Sequence, residues 1–445
     1  MSNKALIITS IALLATLSFA DSADLSFVSS SVSSHPSVVD KANKVKLKGI
    51  NVDQILAENG LKINLSTRSK LPLLYELDDA DNKSRSSSLD KTYFDGVVTL
   101  EKNIYDFGVV ENKINAEKLR EKALNLEYLQ VFEKILQKLL NTANDVSRID
   151  AVLGNLESNI ITVKESIEEI KLRFASGTGT VMEVRQAQLL LLDLETEAQN
   201  LHRERNSKLT ILRDEFDISG NDLSAIGMVI SQFIDELGST NQNFSAVIYE
   251  AIEYNRSTEI ISTEKSALYS ELNSLKSENM PQINMSATAI IYDVTKGLSE
   301  YELYGGVALT MPLFDSGLST VKQSNLLHKF KIQDDLIDAL NQDKSLALNK
   351  LIKNYQDLQI EHDNAQQRQV NLSEKLAQLI QRMAVVDESL LTKLQTQLEL
   401  AKTKRDLLAY PYYIHSFNIN YWALNEKLME KINISPSRWW QYVKK

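Results

Sequence analysis

The chain has 445 residues and a formal net charge of −10, with 49 basic and 59 acidic side chains interspersed along it, so it presents no basic field for nucleic acid. With no cysteine, it can form neither disulfides nor a thioether-linked lipid on a mature N-terminal cysteine. Its 14 glycines and 6 prolines are roughly 3% and 1% of the chain, against about 7% and 5% in average usage, which predicts mostly helix and argues against a compact α/β enzyme with many tight turns.

Residues 1–20 hold Lys4, an apolar stretch from Ala5 to Ala20 relieved by Thr9, Ser10, Thr16 and Ser18, and small residues at Ser18 and Ala20. That is the pattern of a cleaved secretory signal. An uncleaved anchor is the weaker alternative, because the apolar part falls short of the roughly 20 residues a spanning helix needs. The Ser-rich residues 21–34 are expected to be mobile, and a helix follows over 35–59.

Period-two alternation then predicts strands at about 61–77 and 91–104. In the first, Leu61, Ile63, Leu65 and Leu71 oppose Lys62, Asn64, Ser66, Arg68 and Lys70. Between the strands lies a polar hairpin tip, residues 78–88. The second strand, with Gly96-Val97-Val98-Thr99-Leu100, ends at Ile104-Tyr105-Asp106-Phe107-Gly108 and opens a helix over 107–174. At 1.5 Å per residue that helix extends about 100 Å. From Val146 its apolar positions run Ile149, Leu153, Leu156, Ile160, Val163, Ile167, Ile170 and Phe174, spaced by three and four as in a coiled-coil seam. Arg173-Phe174-Ala175-Ser176-Gly177-Thr178-Gly179-Thr180 turns the chain, a return helix covers 180–214, and residues 215–254 form an irregular connection. The turn carries no nucleotide signature, since no Lys-Ser or Lys-Thr follows its glycines.

The second half repeats this plan. Gly305-Gly306-Val307-Ala308-Leu309 and Leu313-Phe314-Asp315-Ser316-Gly317 lie 209 residues after their counterparts, whereas Ile283-Asn284-Met285-Ser286 lies 220 after Ile63-Asn64-Leu65-Ser66. The difference of 11 residues marks the tip at 78–88 as an insertion in copy one. An internal repeat fixes architecture before any single residue is interpreted. Repeat 1 is thus 35–214. Repeat 2 is 255–431: a helix, strands at about 281–293 and 302–313, a long helix over 316–383 and a return helix over 389–430, with a tail at 432–445. The second seam runs Tyr355, Leu358, His362, Ala365, Gln369, Leu372, Leu376, Leu379 and Met383. Pro411 should bend or break the last return helix.

Each strand, at about 12 to 16 residues, is long enough to cross a tilted bilayer path; a soluble β-sandwich edge is the alternative. Four strands cannot close a barrel when the smallest membrane barrels have about eight, so if these strands span a membrane, several chains must pool them. Five scattered histidines and no nucleophile elbow or ligand cluster give no constellation for catalysis and no cofactor site.

In its doubled helix–strand–strand–long helix–return helix order, its two Asp-x-Gly motifs at 106–108 and 315–317 and Arg-Phe-x-x-Gly at 173–177, the chain resembles the outer membrane efflux protein family, the TolC-like export ducts. The resemblance implies a mainly α protein with a small β part: a trimeric α-barrel plus a shared twelve-stranded β-barrel in the bacterial outer membrane, extending into the periplasm. It implies a homotrimer in outer membrane lipid, working with a periplasmic membrane fusion adaptor and an inner-membrane transporter of ABC, RND or MFS type, in drug efflux or type I protein secretion.

Carried over, the adaptor-contacting turns are Ser176, Gly177, Thr178 and Gly179 in copy one and Val385 and Val386 in copy two. The periplasmic aperture is Glu183 with Asp387, Glu388 and Thr392, and the strand-to-helix junctions are Asp106, Gly108, Asp315 and Gly317. Three carboxylates around an opening repel one another and attract cations; the plainer reading of Glu183 is a helix-start acid favourable to the macrodipole. Copy two departs from the family, with Val386 where a turn glycine is common and Thr392 where an acid is expected. A secreted or periplasmic coiled-coil structural or adaptor protein is the competing class, but it would not need two pairs of alternating strands at matched positions.

Overall fold

The computed structural model describes residues 25–69, 94–232, 255–292, 294, 297, 301–383 and 389–436. The signal segment, the insertion at 78–88 and the end of the tail lie outside the described residues. In chain order the elements are helices α1 (Leu25–Ser34) and α2 (Pro36–Glu58), strands β1 (Lys62–Ser69) and β2 (Phe94–Tyr105), helices α3 (Val109–Ala175), α4 (Val181–Phe216), α5 (Gly220–Gln232) and α6 (Arg256–Ser277), strands β3 (Gln282–Ile291) and β4 (Tyr301–Thr310), and helices α7 (Leu318–Met383), α8 (Leu390–Leu424) and α9 (Leu428–Lys431). The long helices α3 and α7 run 67 and 66 residues. Neither contains proline, and Gly154 is the one glycine in the pair, so no residue of poor helix propensity interrupts them for long.

Packing groups the chain into two compact units. One, residues 43–125 with 259–338, carries an antiparallel sheet of order β1-β2-β3-β4. Its register sets Ile63 and Leu65 opposite Leu100 and Val98, these two opposite Ala287 and Ala289, and Ile283, Met285, Ala287 and Ala289 opposite Leu309, Val307, Gly305 and Leu303. Paired residues share a face, so one face is apolar across all four strands. The other carries the rows Asn64, Thr99, Thr288, Tyr304 and Lys62, Glu101, Ser286, Gly306. A slip of one residue would exchange the faces. β1 and β4 each pair on one side within the sheet, and Leu65 and Leu303 on them are 74% and 72% exposed. Two unpaired, apolar edges are templates for another chain. The helical part of the unit packs Leu268, Leu272 and Leu275 of α6 on Leu326 and Phe330 of α7.

The other unit holds the N-terminal residues through Ala42, residues 126–258 and residues 339–445. Here the seam of α3 is the buried stripe: Ile149, Leu153, Leu156, Val163, Ile167 and Ile170 pack on Ala187, Leu194 and Ala198 of α4 and Leu391 and Leu394 of α8. Phe174, the last seam position, is exposed instead, because α3 ends one residue later. Along α7, Leu372 is buried and the other seam residues from Tyr355 to Met383 are half-buried, while every residue between them is exposed.

Three expectations are corrected. Residues 25–34 of the segment expected to be mobile form α1, with Val28 and Val32 buried; the serines conceal an apolar i, i+4 pair that packs inward. The connection at 215–254 contains the helix α5, whose Ile226 and Ile230 are buried, so Gly220 starts a helix where the glycine content suggested irregular chain. Pro411 does not end α8, which continues to Leu424. A proline removes one N–H and leaves the neighbouring turns free to hold. The return helix stops instead before Glu426, at φ 60°, then resumes as α9. Beyond it Ile432 and Ile434 are buried, and Ser29 Oγ donates to the Ser435 carbonyl at 2.8 Å.

Candidate functional site

The strand-to-helix junctions are built twice in the same way. Asp106 accepts from the N–H groups of Gly108 at 3.0 Å and Val110 at 2.9 Å. Asp315 accepts from Gly317 at 3.0 Å and Ser319 at 2.8 Å. In each, two successive residues take positive φ: Phe107 at 53° and Gly108 at 86°, Ser316 at 56° and Gly317 at 83°. The carboxylate satisfies the open N–H groups of the helix start and offsets the cost of a non-glycine residue in the left-handed region. These four residues form the elbow between a strand and a long helix.

At the other end of α3, the Arg173 carbonyl accepts from the N–H groups of Thr178 and Gly179 and from the Ser176 and Thr178 hydroxyls. Gly177 sits at φ 82°, and a Cβ on Gly179 would meet Phe174 N at 3.0 Å, so both glycines are required by this tight closure. The next helix opens with a capping box. Thr180 Oγ1 accepts from Glu183 N, and Glu183 Oε2 accepts from Thr180 N at 3.0 Å. The other carboxylate oxygen, Oε1, accepts from Ser389 Oγ at 2.6 Å, and Ser389 is itself the N-cap of α8. One carboxylate thus joins the first turns of both return helices. The Ser389 hydrogen bond, then the Thr180 N–H, hold the Glu183 carboxyl below its ordinary pKa. A cleft of about 200 Å³ opens there, lined by Ile170, Arg173, Thr178, Thr180, Glu183, Ser389 and Leu390.

Thr392 is exposed on the first turn of α8. Val385, Val386, Asp387 and Glu388 lie outside the described residues. Fourteen residues beyond Glu183, at Glu197, α4 ties to α8 again: Glu197 accepts from Arg405 Nη2 at 3.3 Å. The Arg405 side chain is 6% exposed, and its Nη1 has no partner among the described residues.

No protein-family model matches the sequence, and no curated protein matches it. Among solved structures, the outer membrane protein VceC of Vibrio cholerae is 13% identical with a TM-score of 0.73, over 93% of this chain and 97% of that one. The CmeC outer membrane channel of Campylobacter jejuni is 12% identical with a TM-score of 0.72, over 94% and 88%. The MtrE outer membrane channel of Neisseria gonorrhoeae, solved in its open state, is 11% identical with a TM-score of 0.71, over 91% and 89%. This chain has the fold of these outer membrane channels.

On the outer membrane channel fold, this chain's own side chains add contacts that sequence reading missed. Ser389 had a signal, a serine just before an apolar-periodic run. Arg256 had none. It is 5% exposed and pairs with Glu133 at 2.7 Å, its backbone N–H donates to Glu426 Oε2 at 2.6 Å, and Lys344 lies 3.5 Å from Glu426 Oε1. Glu133 also accepts from Leu428 N at 2.9 Å. Burial raises the Glu133 carboxyl and lowers the Lys344 amine, although each charge is paired. Helices α3, α6 and α7 meet the α8–α9 connection and the start of α9 at this cluster.

Proposed function

We propose that this protein is the outer membrane duct of a tripartite export system, a passive conduit to the cell exterior that supplies no energy and no chemistry. The observation that carries the reading is the sheet register, which makes one face apolar across four strands and the other mostly polar, with Val97 and Ile290 its apolar exceptions, and leaves both edges open. Three copies supply twelve strands, enough to close a barrel where four are too few, with the apolar face toward outer membrane lipid and the polar face lining the pore. The fold shared with VceC, CmeC and MtrE supports the same reading. The long helices form the periplasmic tunnel of the homotrimer. The turn Ser176–Gly179 seats a periplasmic membrane fusion adaptor, and an inner-membrane transporter of ABC, RND or MFS type delivers the cargo, either small toxic molecules or a secreted protein.

The closed state is held where Glu183 joins α4 to α8 through Ser389. It opens when partners draw those helices apart, as a shift between two packings. Detergent extracts of outer membranes should yield a heat-resistant trimer that conducts in planar bilayers. A soluble periplasmic monomer would refute the reading.

A further inference from the structure

Helix α8 is held in two different ways on either side of Pro411. Above it, a polar zipper fixes the helix to α3. Asn144 Nδ2 donates to the Tyr412 carbonyl at 2.8 Å, and the His415 ring meets Asn144 Oδ1 at 3.2 Å. Ser416 Oγ donates to Asn141 Oδ1 at 3.0 Å, and Asn420 Oδ1 accepts from both Gln137 and Asn141 at 2.8 and 2.9 Å. Phe417 stacks on Tyr355 of α7, and just past the helix Glu426 enters the buried cluster around Arg256. Below Pro411 the polar ties among the described residues pass to α4: the Glu197 bond to a guanidinium whose Nη1 has no partner there, and the Ser389 bond to Glu183. The other contacts of this half are apolar or aromatic, Leu391 and Leu394 on α3 and α4 and Tyr410 stacked on His362 of α7. Between the two halves stands the one proline of the helix. Its ring removes the N–H that would bond the Leu407 carbonyl and crowds that carbonyl. Within the lower half, Thr396 and Thr403 bond back to the Thr392 and Glu399 carbonyls, a contact that eases helix bending.

We infer that α8 is hinged at Pro411. The segment 390–410 swings away from α4 while 412–424 stays zipped to α3, and this swing is the motion that frees the first turns of the return helices. The lower half is the half built to leave. Its buried guanidinium gains water when the seam parts, whereas parting the upper half would strip partners from six buried or half-buried amide, hydroxyl and imidazole groups. The inference rests on the duct reading for its purpose but not for its motion.

The chain has no cysteine, so introduced pairs carry spin labels on otherwise native full-length protein. One pair, Ile161→Cys with Gln395→Cys, spans α3 and the lower half; the other, Lys134→Cys with Tyr413→Cys, spans α3 and the upper half. Breaking the tie with Ser389→Ala should lengthen and broaden the lower distance and leave the upper one unchanged. Adding Pro411→Ala restores one backbone hydrogen bond and should cut the displaced population about five-fold, with an equal fall in the open fraction in planar bilayers. A displaced upper pair, or a lower pair indifferent to Pro411→Ala, overturns the hinge. If Ser389→Ala moves the lower pair and Pro411→Ala restrains it, yet neither variant conducts, the hinge stands and the duct reading falls.

Discussion

His415 should make this protein lose stability in mild acid, and the size of the loss follows from its surroundings. The ring is 6% exposed. Because Asn144 Nδ2 is committed to the Tyr412 carbonyl, Asn144 Oδ1 faces the ring and the proton sits on Nδ1; Nε2 has no partner among the described residues. Burial lowers the pKa from 6.5 to about 4. Between those values the unfolded chain binds a proton that the native chain refuses, so the free energy of unfolding falls as pH falls. At pH 4.5 the loss relative to pH 8 is about 2.5 kcal/mol per chain. His415→Asn keeps a donor near Nδ1 and cannot titrate. Urea titrations of detergent-solubilised wild type and variant, followed by intrinsic fluorescence at pH 8 and pH 4.5, give a double difference in which the shared carboxylates cancel. The gap between the two proteins should shift by about 2.5 kcal/mol in favour of the variant on acidification. A shift under about 0.5 kcal/mol, within the scatter of such extrapolations, would show that the imidazole reaches water and would refute the reasoning.

Arg256→Met should cost about 3–5 kcal/mol, because Lys344 is then the one cation left to Glu133 and Glu426 among the described residues of a buried site; urea titration of the detergent-solubilised protein reads the change, and a variant within about 1 kcal/mol of wild type would mean the cluster is hydrated. Glu183→Gln should raise the open fraction in planar bilayers, and unchanged conductance and cation preference would remove Glu183 from the gate. Since the Glu183 carboxyl is held below its ordinary pKa, the tie is complete at neutral pH and weakens as pH falls through that lowered value, so opening in wild type should increase in acid and be pH-independent at this step in Glu183→Gln. Gly177→Ala should cost about 1–2 kcal/mol from backbone strain alone, since a Cβ there has open space, whereas Gly179→Ala carries no such strain and must instead displace the Arg173–Phe174 backbone; faster amide exchange at Thr178 and residue 179 in the second variant than in the first is the expected order.

The strands and seams were legible because both depend on local period. Ile63 and Leu65, or Ile149 through Ile170, announce their face by spacing alone. The repeat carried the rest of the architecture, including the two elbows, whose Asp and Gly do the same work at the same spacing. What period could not reveal is pairing at long range. Glu133 and Arg256 are 123 residues apart and each reads as a solvated helix charge until the fold buries them together. Glu183 is the sharper case. Its place at a helix start was legible, and the structure closes a capping box with Thr180 there, but its bond to Ser389 crosses 206 residues and changes it from a lone acid into a fastener. α1 was hidden because its serines mask the Val28–Val32 spacing, and a local reading of Pro411 gave a bend or a break without distinguishing them; that α8 runs on unbroken to Leu424 depends on neighbours distant in sequence.

The two free borders of the sheet are not alike, since one belongs to β1 with Lys62 and Arg68 and the other to β4 with Glu302 and Tyr304. A copy can therefore join the next only head to tail, and such contacts either close into a ring or run on without end. Every incomplete ring still exposes both borders, so assembly has no stable halfway stage and one spoiled border poisons the whole ring. With the three copies proposed above, a cell making equal amounts of normal and border-spoiled chains would build only about one ring in eight wholly from normal ones. A border substitution should for that reason act as a genetically dominant trait, although the altered chain itself contributes nothing.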